Sequence, residues 1–174
     1  MDADEVRRLI RQETRFRTGL GFDVHRLAPG RRLVLGGVEI PHNLGLEGHS
    51  DADVLTHAIM DALLGAAGLA DIGVHFPNTD PRWKDASSLG MARSVAAMVR
   101  QRGYDIESVD AMVLAERPRL APHFPLMRGR LAEALGLDPE AIGLKATTTE
   151  GLGFPGRGEG MAALACALLR GPRP

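Results

Sequence analysis

The stretch His49-Ser50-Asp51-Ala52-Asp53-Val54-Leu55-Thr56-His57-Ala58-Ile59-Met60-Asp61-Ala62-Leu63-Leu64-Gly65 reads as a helix with a start signal, an apolar face and a polar stripe. Ser50 followed three residues later by Asp53 resembles a capping box with Asp in place of Glu, and Gly65 stands where a C-terminal cap falls. Val54, Leu55, Ala58, Ile59, Ala62 and Leu63 recur at helical spacing and predict a core-facing side. Asp53, His57 and Asp61 are four residues apart and leave from one side of the helix. An imidazole between two carboxylates suits a metal ligand and its supporting hydrogen bonds. The alternative is a solvated face in which His57 pairs with Asp53 or Asp61.

Upstream, Leu33-Val34-Leu35, Gly36-Gly37 and Val38-Glu39-Ile40 predict a hairpin on a two-glycine turn, ended by Pro41. Asn43 to Gly48 reads as a loop that delivers His49 and Ser50 to the helix N-terminus, where free amides and the helix dipole favour an anion. Alternatively Ser50 only caps and His49 faces solvent. Further back, Arg17 to His25 reads as a strand. On it Asp23 and His25 leave one face while Val24 leaves the other, so a carboxylate and an imidazole can close on one ion. Gly19 and Gly21 weaken that strand unless another backbone or a ligand approaches closely there.

Downstream, Asp71 to Pro81 is rich in turn formers and reads as an ordered loop of the kind that carries binding groups. Ser87 or Ser88 caps a second helix with Leu89, Ala92, Val95, Ala96 and Val99 packed inward, ending before Gly103. Val109–Ala115 suits a strand, and Pro125 to Leu135 a third helix with Leu126, Met127, Leu131, Ala134 and Leu135 inward. Ala141 to Thr148 is a further strand. At its end, Thr147, Thr148, Thr149 and Glu150 match a phosphate and divalent-ion contact, although threonines are also plain strand formers. The last apolar run, from Gly158 to Leu169, fits helix by its alanine content or strand by its length and flanking glycine.

With 174 residues, 44% hydrophobic and 25% charged, the chain predicts one folded domain with a proper core. A formal charge of −1 argues against nucleic acid as a partner. Cys166 is the single cysteine, which excludes an intrachain disulfide and favours a reducing, cytoplasmic setting. No apolar run approaches the roughly 18 residues that span a bilayer, so no membrane role is expected. The charged stretch 1–16, with Val6, Leu9 and Ile10 at helical spacing, reads as an N-terminal extension, linker, fusion remnant or tag ahead of a domain over 17–174.

Five groups of residues carry a resemblance to a known family. They are Gly-Phe-Asp-Val-His at 21–25, His-Ser-Asp-x-Asp at 49–53 with His57, Asp-Ile-Gly at 71–73 with Phe-Pro-x-Thr-Asp at 76–80, Lys-Ala-Thr-Thr-Thr-Glu at 145–150, and Gly-Phe-x-Gly-Arg-Gly-Glu-Gly at 153–160. In order and spelling they resemble the 2-C-methyl-D-erythritol 2,4-cyclodiphosphate synthases, over about Arg17 to Leu169.

The resemblance implies a homotrimer of single-domain α/β (α+β) subunits. Each would have a mixed sheet facing the threefold axis, helices on one face, and an active site at the subunit boundary; the final run is then a strand. The implied reaction belongs to the non-mevalonate isoprenoid pathway. A phosphorus–oxygen lyase converts 4-diphosphocytidyl-2-C-methyl-D-erythritol 2-phosphate, a small-molecule cytidine diphosphate substrate, to the cyclic diphosphate with release of CMP. An anionic phosphate must attack an anionic phosphoryl group of the same molecule, so charge must be neutralised and the substrate folded back on itself.

By the same resemblance, Asp23, His25 and His57 match the zinc ligands, and Glu150 the contact to a second ion, Mg2+ or Mn2+. His49 and Thr148 match the groups that polarise the transferring phosphoryl oxygens, with Ser50 beside the substrate. Cytidine recognition falls to Ala115, Pro118, Arg119, Leu120 and Ala121, mainly through backbone groups, with Thr147 nearby, and Glu116, Arg117 and Thr149 are counted among the substrate-binding positions. Erythritol contacts fall to Asp71, Ile72, Gly73, Phe76 and Asp80, in a run with Pro77, Asn78 and Thr79, and Val24 lies in the substrate-contacting segment of the first motif. Phe154 matches a position lining the substrate site and Arg157 one in the central channel. Asn78 stands where relatives often carry Asp, which removes a charge. Leu164 stands where some relatives place a channel-facing Glu, which weakens any expectation of isoprenoid-diphosphate binding in the channel.

Overall fold

The computed structural model describes residues 2–6 and 15–171. Residues 3–6 form a helical turn whose first amides are taken by the Asp2 carboxylate. Leu9 and Ile10, the rest of the helical spacing expected in the N-terminal extension, lie outside the described residues. The elements then run β1 (Phe16–Pro29), β2 (Leu33–Leu35), β3 (Val38–Ile40), β4 (Leu44–Leu46), α1 (Val54–Ala66), α2 (Ile72–His75), α3 (Ser88–Gln101), β5 (Asp105–Leu114), α4 (Phe124–Leu135), β6 (Ile142–Thr147), α5 (Gly153–Gly156) and β7 (Gly160–Arg170).

Five strands form one mixed sheet in the order β4-β1-β7-β5-β6, antiparallel except for the parallel pair β5 and β6; β2 and β3 form a separate hairpin. The final run is thus a strand, lying between β1 and β5 at the centre of the sheet. Its alternation decides this: Met161, Ala163, Ala165, Ala167 and Leu169 are all buried under the helices. α1 lies across β1 and β7, with α3 and α4 beside it on the same face. The core between them is filled by Leu55, Ile59, Leu63, Met127, Leu131 and Leu135, each buried at a gain of about 1.5–3 kcal/mol.

Gly19 and Gly21 face α1, and a Cβ at either would run into the carbonyl oxygens of Ala62 and Ala58. The approaching backbone that the two glycines called for is therefore α1 itself, whose own alanines keep its underside thin. In the β2–β3 turn both Gly36 (φ 54°) and Gly37 (φ 70°) take the left-handed conformation, as a two-residue hairpin turn of this hand requires.

Several local expectations are corrected. Asp53, and not Ser50, caps α1: its carboxylate accepts the Thr56 amide at 2.9 Å, because Ala52 at φ 57° turns the chain before the helix starts. Gly65 does not stop α1, which continues to Ala66; the first left-handed residue is Gly68. Part of the loop expected over 43–48 is β4, paired with the end of β1. The loop expected over 71–81 holds α2, capped by Asp71, and ends in a single 3-10 turn at Pro81–Trp83. β5 starts four residues earlier than Val109, at Asp105, and carries a bulge between Ile106 and Ser108. In α4, Leu126 is exposed, and in α3 Met91 is buried more fully than Leu89.

The sheet face opposite the helices is open. Phe22, Leu164 and Met112 stand in one row across β1, β7 and β5, and Leu20 and Cys166 in the next. Leu20 is 72% and Phe22 53% exposed, an apolar band of the kind that marks an interaction surface. No helix among the described residues is long and apolar enough to cross a membrane.

Candidate functional site

Alternation along β1 turns Asp23 and His25 toward α1 and leaves Val24 on the open face. The first turn of α1 brings His57 to the same point. Asp23 Oδ2 lies 2.9 Å from His57 Nδ1 and 3.0 Å from His25 Nε2, and the two imidazole nitrogens are 3.1 Å apart. These three atoms form a nearly equilateral triangle. Three ligands of a tetrahedral zinc site, with bonds of about 2.0–2.1 Å, stand about 3.3–3.5 Å from one another, so closure on a cation needs only a few tenths of an ångström.

The hydrogen bonds behind the triangle aim its lone pairs. His25 Nδ1 is 2.5 Å from the Glu47 carbonyl, which only accepts; Nδ1 therefore carries the proton and Nε2 offers a lone pair to the centre. On His57, Nε2 is 3.2 Å from Ser50 Oγ and 2.9 Å from Ser88 Oγ. A carboxylate oxygen and two imidazole nitrogens converging this way fit a borderline-soft divalent ion with one open position. Burial alone would raise the Asp23 carboxyl, but hydrogen bonds and charge from His25 and His57 hold it far below the usual carboxylate range. Burial works against the charged His25, and the Asp23 hydrogen bond and charge overcome it, so its imidazole sits above the ordinary value.

The stripe read from α1 divides on inspection. Asp53 serves the fold and does not support His57: its oxygens accept from the Gly36 amide at 3.0 Å, the Gly37 amide at 2.7 Å, and the amide and hydroxyl of Thr56. Burial pushes its carboxyl up, and the Thr56 and Gly37 bonds oppose that. Asp61 accepts the Ile72 amide at 2.8 Å and so fixes the start of α2; burial, then the charges of Asp71 and Asp23, raise its carboxyl.

A pocket of about 400 Å³ opens over the triad. His49 and Ser50 line it from the turn before α1, and Ile72, Gly73, Phe76 and Asn78 from the segment after it. Trp83 closes one wall, edge-on to Phe76 with ring centroids 4.9 Å apart. The His49 Nε2 is 3.4 Å from the Asp80 carbonyl, while the Asp80 carboxylate is paired with Arg82. Asp71 spends its carboxylate on the Val74 amide. Pro77 and Thr79 complete the same segment without lining the pocket.

The remaining expected residues gather elsewhere. Ala115, Glu116, Arg117, Pro118, Arg119, Leu120 and Ala121, with Thr147 and Thr148, line a second pocket of about 520 Å³ at the C-terminal ends of β5 and β6. The two loops are laced together: Ala115 donates to the Thr147 carbonyl at 3.0 Å, and the Thr149 amide to Glu116 at 2.9 Å. Glu150, at φ 54°, accepts from the Thr148 hydroxyl at 2.8 Å and lies outside the triad. Phe154 sits half-buried in α5. Arg157 pairs with Glu159 and lines a third pocket with Glu116 and Arg117.

Sequence reasoning missed Ser88, Glu47, Met60, Met91 and Trp83. Ser88 was legible only as a helix start, and the role of Glu47 is played by its backbone, which no side-chain pattern records. Trp83, the chain's single tryptophan, set among turn formers, was a signal available to be used.

Comparison with known proteins bears on all of this. The YgbB family model matches residues 16–170. The 2-C-methyl-D-erythritol 2,4-cyclodiphosphate synthase of Synechococcus elongatus is 58% identical over 156 residues, 90% of this chain and 98% of the relative. Among solved structures, the bifunctional IspDF from Campylobacter jejuni superposes with a TM-score of 0.87 at 44% identity, over 90% of this chain and 42% of that one. The CDP complex of IspF from Plasmodium falciparum gives 0.80 at 31% identity, over 91% and 97%. On the extent of these matches, the chain belongs to the YgbB family, to which it is joined along nearly the whole of its described domain.

Proposed function

We propose that the protein is a metal-dependent enzyme of isoprenoid biosynthesis, which cyclises 4-diphosphocytidyl-2-C-methyl-D-erythritol 2-phosphate to 2-C-methyl-D-erythritol 2,4-cyclodiphosphate and releases CMP. The observation that carries this reading is the triad, in which Asp23 Oδ2, His25 Nε2 and His57 Nδ1 point at one spot beneath a pocket sized for a small phosphate ester. Zinc bound there would act as a Lewis acid, with its open position available to a phosphate oxygen.

The chain's own groups account for the rest. In the reaction an oxygen of the 2-phosphate forms a bond to the β-phosphorus, and the bond from that phosphorus to the bridging oxygen breaks, so CMP leaves with the electron pair. On this reading His49, which lines the triad pocket, and the Thr148 hydroxyl, which lines the loop pocket, would donate to phosphoryl oxygens as charge builds. Ile72, Gly73 and Phe76 shape the erythritol side, and the backbone over 115–121 the cytidine side. Glu150 would hold Mg2+ or Mn2+ against the diphosphate.

The two pockets lie apart on one chain. Val24, Ala162, Leu114 and Thr147 share one row of the sheet, so Thr147 is three strand spacings from β1, about 14 Å. That is too far for the triad and Thr148 of one chain to meet at one phosphoryl group. The apolar band on the open sheet face supports assembly of three copies around it, with the triad of one copy facing the loops of the next. The test is product analysis with the diphosphocytidyl substrate. CMP and a cyclic diphosphate should form in equal amounts, only with divalent metal and with no oxygen taken up from labelled water; CMP with a linear, water-derived product would reject the proposal.

A further inference from the structure

Behind His57 lie two groups that the reading above leaves without a task. We propose that Asp51 and Ser88 are positioning residues, which hold the His57 imidazole in the tautomer that presents Nδ1 to the metal. The argument rests on the metal reading and follows one hydroxyl proton. Asp51 accepts both donors of Ser88: the amide at 2.9 Å on Oδ2 and the hydroxyl, in close contact, on Oδ1. With its single proton directed there, Ser88 Oγ has only lone pairs left for His57 Nε2, 2.9 Å away. Nε2 is therefore the N–H, and once a cation displaces the proton that Nδ1 shares with Asp23, Nδ1 is the bare nitrogen that faces it. Ser50 does not set the tautomer: its Oγ, 3.2 Å from Nε2, accepts the Ala52 amide and keeps both a lone pair and its own proton, so Ser88 alone decides.

The two imidazoles of the triad are thus held by different means. A backbone carbonyl orients His25, and a carboxylate acting through a buried serine orients His57. Ser88 is the first residue of α3 and is fully buried, so α3 is fastened to the metal centre at its N-terminus. Carboxylate support of a metal-bound imidazole raises its basicity as well as its orientation, and its removal typically weakens metal binding about 10–100-fold.

The experiment measures Zn2+ affinity of the purified protein by competition with a chromogenic chelator, for the unaltered chain, Ser88→Ala, Asp51→Asn and the double variant. Nitrogen-15 spectra of the His57 ring in the metal-free protein accompany it. Ser88→Ala should weaken zinc about 10–100-fold and lower the population with hydrogen on Nε2, whereas Ser88→Thr, which keeps the hydroxyl, should restore both. Asp51→Asn should add little once Ser88 is gone, because Asp51 acts through it. Zinc affinity unchanged in Ser88→Ala while the unaltered chain binds normally would overturn this inference and leave the metal reading standing; losses that add in the double variant would overturn the role of Asp51. No zinc binding by the unaltered chain would overturn the metal reading and this inference with it. Should Asp51→Asn fail to fold, Ser88→Ala decides alone.

Discussion

In the pocket beneath α1 the chemistry rests on side chains held by fixed partners: Asp23, His25 and His57, backed by Glu47, Ser50 and Ser88. In the pocket beyond β5 and β6 it rests on loop backbone and exposed threonine hydroxyls. The first is assembled before anything binds and its energetics are electrostatic. The second presents the donors and acceptors of two loops joined by Glu116 and Thr149. A catalyst built from both needs the rigid part to set the position of charge and the looser part to accept a large ligand, and under the assembly proposed above it would be complete only where two chains meet.

The sharpest way to separate the two regions is His57→Ala. It removes one of three ligands, and turnover should fall at least about a thousandfold with loss of bound zinc, while CDP still shifts the melting temperature. Retained turnover would break the comparison at its first term. Thr148→Ala should show the converse: about a hundredfold lower kcat, some 3 kcal/mol of lost transition-state stabilisation, with zinc content by metal analysis unchanged.

Acidity distinguishes the regions next. His25 is raised above its ordinary 6.5, so in the metal-free protein its protonated pairing with Asp23 contributes stability that is fully present below 6.5 and lost as pH rises through the higher folded value. Asp23 is depressed, so its contribution is present above 3.8 and lost only well below that. Zinc must displace the His25 proton. The zinc-induced rise in melting temperature should therefore grow as pH increases from the ordinary histidine value upward, with apparent affinity changing about tenfold per unit while that proton is still bound. The rise given by CDP without metal should stay flat over the same range, since no imidazole lines the loop pocket. A zinc effect independent of pH would contradict the proton displacement. The smallest effect is expected for Glu116→Gln, which weakens the bond to Thr149: a few-fold rise in KM, with kcat and zinc nearly unchanged.

The two regions also differed in how far the sequence disclosed them. Asp23 and His25 two apart on a strand, and His57 on an amphipathic helix, were legible because strand and helix periods dictate which side chains share a face. The glycines at 19 and 21 pointed to a close-packed neighbour, found in α1. What escaped was whatever depends on backbone or on distant partners. Asp53 looked like support for His57 from its place in the stripe, yet the Gly36 and Gly37 amides, 17 and 16 residues away along the chain, claim it. Ser88, 31 residues from His57, reads as an ordinary helix start. The loop pocket became legible only through its likeness to a family, because main-chain groups carry no residue-type signature; periodicity left the run from Gly158 to Leu169 open, the same likeness made it a strand, and its place between β1 and β5 bears that out.

One measurement reaches the claim that the two regions complete each other across chains. His57→Ala and Thr148→Ala proteins, each nearly inactive, are co-expressed so that mixed assemblies form, and their composition is checked by native mass. If an intact triad from one copy meets an intact Thr148 from the next, about a quarter of the unaltered activity should return, since half the copies carry each intact residue. Mixed assemblies no more active than the two parent variants would show that the regions do not act on the same substrate across a subunit boundary.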